Sequence, residues 1–139
     1  MSQWTHVTGI IRIDSMRVKH KSILKRSLLE FEKNIPEGSE GPLSLSTEYT
    51  GYEEGNSSSI NIGNIIISGD LRDYDDHMEI FNWVKGSLKV LKGKGIFVRS
   101  IAVGIEVKNK SNYLILQDKE GVRVIHLFLE DQSLMKKIK

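Results

Sequence analysis

Two strand-like stretches in succession decide how this chain folds. The first is Leu43-Ser44-Leu45-Ser46-Thr47-Glu48-Tyr49-Thr50. The second, past a polar break, is Ile60-Asn61-Ile62-Gly63-Asn64-Ile65-Ile66-Ile67-Ser68. From Leu43 to Tyr52 apolar and polar residues alternate, the pattern of a strand with one buried and one wet face. From Gly51 to Ser59 the chain is polar and glycine-containing and reads as a hairpin loop. The run Ile65-Ile66-Ile67 is apolar on both faces, so this strand belongs inside a sheet rather than at its edge. Gly63 and Asn64 break the alternation, and a bulge is expected there.

Helical patterns flank this pair on both sides. Upstream, Ile23, Leu24, Leu28, Phe31 and Ile35 recur at spacings of three and four, which predicts a helix over 18–35. Pro36 ends it. Downstream, Asp73 or Asp75 is placed to cap a helix reaching about Leu91. Its stripe is Met78, Phe81, Trp83 or Ile80, Val84 and Leu88. Gly93 and Gly95 follow its end. Outside each helix lies another strand. Trp4 to Ile13 alternates on one side, and Ile96 to Val107 on the other, with Phe97, Arg99, Ile101, Val103, Ile105 and Val107 on one parity. Tyr113–Gln117 and Val122–Leu129, joined by Asp118-Lys119-Glu120-Gly121, add a terminal hairpin. The order β-α-β-β-α-β-β-β predicts an α+β, ferredoxin-like βαββαβ antiparallel sheet with two helices on one face, extended by a C-terminal β-hairpin. The other face then lacks cover, with Trp4, Tyr49 and Phe97 as candidates to lie on it. Such a face serves as a ligand surface or an interface between copies.

The 139 residues suit one domain, 1–139, with 130–139 reading as a short basic helix or a frayed basic tail. The absence of cysteine excludes disulfides, thiol nucleophiles and thiolate metal sites. No apolar run approaches ~18 residues, and the N-terminus lacks the pattern of a signal peptide, so no membrane partner and a cytoplasmic location are expected. The net charge of +2 hides a strong asymmetry. Residues 1–26 carry +5, residues 27–82 carry −10 and residues 83–139 carry +7. That distribution makes a dipolar surface rather than a uniformly basic one, so nucleic acid is not the expected partner.

Several residue groups carry chemistry. His6 and Thr8 stand two apart on a strand and point the same way, the half-site of a two-histidine phosphodiesterase. The second half-site would be His126-Leu127-Phe128, which lacks the hydroxyl. Gly38-Ser39-Glu40-Gly41 offers backbone N–H groups to a phosphate, though no Walker-type Gly-Lys-Ser/Thr follows. Asp70, Asp73, Asp75, Asp76 and His77 form an acidic run, but helical geometry fans the last three apart, so first-turn and capping roles are expected and no metal site. Arg12, Arg72, Arg99 and Arg123 supply guanidinium groups, which grip phosphates in pairs of hydrogen bonds, or else salt bridges to Glu48 or Glu106. With the fourth strand beside the second, Arg12 and Arg99 would share a face. Trp83 reads as core, whereas Trp4 and Tyr49 are available for stacking. The ligand-binding set is therefore Trp4, His6, Arg12, Ser39, Tyr49, Arg72 and Arg99, with no complete catalytic set and no cofactor. His6, Thr8 and His126 form the alternative enzymatic set.

Three segments carry a resemblance: Trp4-Thr5-His6-Val7-Thr8-Gly9-Ile10-Ile11-Arg12-Ile13-Asp14, Pro36-Glu37-Gly38-Ser39-Glu40-Gly41-Pro42 and Gly69-Asp70-Leu71-Arg72-Asp73-Tyr74. Together they resemble a group of small tailed-bacteriophage proteins over roughly the first half of the chain. The resemblance implies a protein acting in an infected bacterial cytoplasm. It also implies the role such proteins often have, blocking host defence, for example by sequestering a cyclic-nucleotide or cyclic ADP-ribose signal without cleaving it. The expectation is a homo-oligomeric, non-enzymatic binder of a small phosphate-bearing nucleotide. A protein–protein inhibitor or structural phage component, and a phosphodiesterase, are the alternatives.

Overall fold

The computed structural model describes residues 2–15, 20–49 and 61–127, the side chains of 20–23, 49, 61 and 62 apart. The elements are β1 (Trp4–Ser15), α1 (His20–Glu32), β2 (Glu37–Gly38), β3 (Gly41–Pro42), β4 (Ser44–Tyr49), β5 (Asn61–Arg72), α2 (His77–Gly93), β6 (Phe97–Val107), β7 (Ser111–Asp118) and β8 (Gly121–Leu127). Six of the strands form one antiparallel sheet in the order β4-β5-β1-β6-β7-β8, and β2 pairs with β3 in a separate small hairpin. The fold is α+β: a ferredoxin-like βαββαβ core with its sheet extended by the β7–β8 hairpin. Expectations for Tyr49 as a ligand contact, for a lid over 52–59 and for the tail 130–139 fall outside the described residues or side chains.

Alternation on β1 sorts its residues between two environments. Thr5, Val7, Ile11 and Ile13 are buried beneath the helices, while Thr8, Ile10 and Arg12 are exposed on the opposite face. Gly9 faces inward because β1 and β6 approach closely there: a Cβ would sit 2.5 Å from the Ala102 carbonyl oxygen. Ile65, Ile67 and Leu71 on β5, and Ile101, Val103, Ile105 and Val107 on β6, complete the sheet's half of the core. The helices supply Phe31, Ile80, Phe81, Trp83, Val84, Leu88 and Leu91. Trp83 meets Phe31 edge to face at 5.4 Å and donates its indole N–H to the Phe31 carbonyl at 2.9 Å, which satisfies its one polar atom in the core.

The structure differs from the sequence pattern in four places. α1 stops at Glu32, three residues before Ile35, because the chain turns through Asn34 at φ 54°. The cap of α2 is Asp76, whose carboxylate accepts from the Glu79 N–H at 3.1 Å, not Asp73 or Asp75. That start places Ile80 in the core and leaves Met78 41% exposed. No bulge occurs at Gly63: β5 keeps continuous register with both neighbours. Gly63 instead admits α1, since a Cβ there would lie 2.3 Å from Leu24 Cδ2. The bulge is on β6. Arg12 faces Ser100 and Ile13 faces Val98, so Arg99 is the extra residue. It reverses the parity of β6, burying Ile96 and leaving Phe97 47% exposed.

Candidate functional site

Register assembles the site at one end of the sheet face that no described residue covers. Opposed residues of antiparallel strands point the same way. Trp4 stands opposite Arg72, and His6 stands between Asp70 on β5 and Glu106 on β6. His6 Nδ1 pairs with Asp70 Oδ1, and Nε2 lies 3.8 Å from Glu106 Oε1. A carboxylate only accepts, so Nδ1 carries a proton. The Trp4 ring is parallel to the His6 ring within 7°, with centroids 6.4 Å apart, and the Arg72 guanidinium carbon lies 6.0 Å from its centroid.

The β2–β3 hairpin closes this end from the side. Ser39 N–H donates to the Arg72 carbonyl at 2.9 Å and its hydroxyl donates to Asp73 at 2.7 Å. Gly38 is required for that approach, because a Cβ would lie 2.6 Å from the Arg72 carbonyl oxygen. Glu40 on the hairpin accepts from Arg72 Nη1 at 3.1 Å, while Arg72 Nε donates to the Ser2 hydroxyl at 3.0 Å. A guanidinium has five N–H donors, and these bonds use two. Behind Trp4 lies a cavity of about 300 Å³ lined by Ser2, Gln3, Trp4, Lys108 and Asn109. Gln3 fixes its wall. Its side-chain amide donates to the carbonyls of Trp4 and Lys108, and its own carbonyl accepts from Asp73 N–H at 2.6 Å.

Trp4, His6, Ser39 and Arg72 are therefore brought together. Arg12 shares their face but lies six residues along β1 from His6, about 20 Å away. Arg99 is held elsewhere, by Asp14 at 2.6 Å, and Arg123 pairs with Asp118 at 2.8 Å. The fourth strand of the core lies beside the first rather than the second, so Arg99 adjoins Ser100, the residue opposite Arg12, and pairs with Asp14 two residues along β1 from Arg12. Neither Glu48 nor Glu106 is the partner of Arg99.

His126 does not meet His6. It lies opposite Tyr113, which lies opposite the buried Ile105, so it belongs to the helix side of the sheet. There Tyr113 is stacked between His126, at 4.8 Å, and His77, at 3.6 Å. Burial, and to a smaller degree the neighbouring His126, hold the His77 imidazole below its ordinary pKa, against the opposing pull of Asp76. Thr8 stands on the open face but is separated by the sheet from His126. Among the described residues no three His, Asp or Glu side chains converge as a metal site. No described helix is long and apolar enough to cross a membrane.

Lys108 joins the site without a local signal in the sequence, and the sequence marks Asp70 only as part of an acidic run and Glu106 only as a partner for arginine. Lys108 sits in a turn after β6, and its N–H donates to the Trp4 carbonyl at 3.0 Å, a contact 104 positions apart. Only strand order and register reveal these neighbours.

No protein-family model and no curated protein matches the chain. Among solved structures it is similar to a phage SAM lyase in complex with S-methyl-5'-thioadenosine, at 15% identity and a TM-score of 0.41, over 90% of each chain. A likeness of that size assigns neither a residue role nor a ligand here.

Proposed function

We propose that the chain binds a small nucleotide at the Trp4 end of the open sheet face and holds it without chemical change. The observation that carries this is one aromatic ring flanked by two kinds of polar group. Arg72 and Lys108 border the Trp4 ring and its cavity, while Asp70 and Glu106 lie beyond His6. A base stacks on an indole, a phosphate is held by guanidinium and ammonium donors, and ribose hydroxyls donate to carboxylates. His6 is engaged by one carboxylate and faced by another, and no second histidine shares its face among the described residues, which favours binding over phosphodiester cleavage. In a bacterium under phage attack, such retention would remove a defence signal from circulation. That part of the proposal rests on the resemblance of the first half of the chain to small tailed-phage proteins.

The test is incubation with a panel of cyclic dinucleotides and cyclic ADP-ribose isomers, followed by filtration, heat release and mass spectrometry. One nucleotide should be recovered intact. Trp4→Ala should lower its retention by about tenfold or more, the scale of one lost base–aromatic stack, and Arg72→Ala should also weaken it. A converted product would replace binding by catalysis. Recovery of nothing across the panel would overturn the nucleotide reading.

A further inference from the structure

The open face carries an apolar band that no described residue covers. Ile66, Ile10, Ala102 and Leu116 stand in one row across β5, β1, β6 and β7, with Gly104 and Leu114 in the next row. Ile10 is 50% exposed at the middle of a central strand, where an isoleucine gains little unless something packs on it. Charge brackets the band unequally. Toward one end Asp70 and Glu106 flank His6; toward the other stands Arg12, which is exposed and makes no ion pair with any described residue, with the mutually paired Arg99 and Asp14 beside it and Glu48 two strands away in its row.

We infer that two copies of this chain pack through this face about a two-fold axis lying in the interface and running across the strands. An axis in that direction lays β1 on β1 in opposite senses. The partner subunit's Arg12 then lies over His6, between Asp70 and Glu106, and the same contact repeats at the other end. The two apolar rows exchange: Leu116 meets the partner's Leu114, and Ile10 meets the partner's Thr8 beside the hollow of the partner's Gly104. An axis along β1 would instead set Asp70 against the partner's Glu106, a like-charge arrangement. Such a face-to-face contact between sheets follows the ordinary geometry of a β-sandwich, and a two-fold makes it self-complementary. The face projects about 600 Å² from strand spacing and rise. With side-chain relief this nears the ~800 Å² per partner of a standard interface. The self-association stands independently of the nucleotide. Only its corollary, that the partner's Arg12 adds a third cation to the phosphate side of the site, rests on the function proposed above.

Sedimentation velocity at tens of micromolar, with circular dichroism and thermal melting to confirm folding, tests it. The chain should sediment as a dimer. Ile10→Lys should yield a folded monomer. Arg12→Glu should weaken association by at least about tenfold, the scale of a close interfacial charge pair, and Arg12→Glu combined with Glu106→Arg should restore it. A folded wild-type monomer overturns the inference; if removal of 128–139 then produces the dimer, the chain's own tail is the occupant. Dimers that persist in Ile10→Lys, or a charge swap that fails to restore association in a folded protein, overturn this docking too. Nucleotide retention by the same samples separates the two questions: a monomer that retains ligand removes the dimer and leaves the binding site.

Discussion

On the proposed function, Glu40 is the residue that would moderate how tightly Arg72 holds a phosphate. It lies 3.1 Å from Arg72 and competes with an incoming phosphate for the same guanidinium. Both side chains are substantially exposed, and exposed pairs of this kind contribute ~0.2–1 kcal/mol. Glu40→Gln should therefore raise nucleotide affinity by about twofold to fivefold, measured by titration calorimetry, with a melting temperature lowered by no more than about 4 °C. A fall in affinity would mean that Glu40 itself contacts the ligand. At this scale part of the candidate site's grouping was legible. Trp4, His6, Ser39 and Arg72 stand out by residue type in strand and loop contexts, and they lie together in the structure. Arg12 and Arg99 stand out equally and lie elsewhere, because residue type carries no information on distance along or across a sheet. Lys108 was invisible for the converse reason: nothing local marks a turn lysine whose neighbour is 104 positions away.

Helix and strand identities were legible because hydrophobic period survives in a single sequence. Their ends were not, because they depend on backbone turns such as that at Asn34 and on which of four nearby aspartates reaches an N–H. The β7–β8 turn shows an element held by such a contact. Asp118 accepts from the Glu120 N–H at 2.8 Å and is also paired with Arg123. The Glu120 hydrogen bond, the largest cause, holds its carboxyl below the usual aspartate value; desolvation opposes it, and the Arg123 hydrogen bond and charge add to the lowering. A depressed carboxyl pKa gives stability that is complete above the unfolded value and is lost as pH falls through the folded one. Protection of the Glu120 amide from hydrogen exchange, corrected for intrinsic rates, should therefore persist through mildly acid solution and fall only below the ordinary aspartate range. Asp118→Asn should abolish that acid-dependent fall. An unchanged profile would place the pH dependence elsewhere.

Across the whole molecule, the number and antiparallel sense of the strands follow from the sequence pattern through simple rules, whereas the neighbour of the fourth core strand does not: the expectation sets it beside the second, and it lies beside the first. Two strands in succession between two helices, with outer strands flanking them, specify a four-stranded antiparallel core, and a two-strand tail has only an edge to join. The four-stranded core β4-β5-β1-β6 and the addition of β7 and β8 beyond β6 agree with that logic. Register is a different matter, since one added residue changes every facing pair beyond it. The apolar band, the charge bracket and the His6–Asp70–Glu106 row all exist because β1 pairs in register with both neighbours over the eight residues from Thr5 to Arg12.

Arg99 gives that dependence a further consequence. β6 is two half-strands of opposite phase joined at one spacer. Read without Arg99, the sequence runs Ile96-Phe97-Val98-Ser100-Ile101 and alternates without a break. The spacer is thus the one point in β6 where the chain can shorten by a residue and keep each side chain on its present side. Loss of any one residue between Ile101 and Val107 would instead invert the strand on one side of the cut. A chain lacking Arg99 should fold cooperatively with only a modest drop in melting temperature, while one lacking Val103 should not fold. This strand carries a built-in allowance for a change of length, placed where the fold can absorb it.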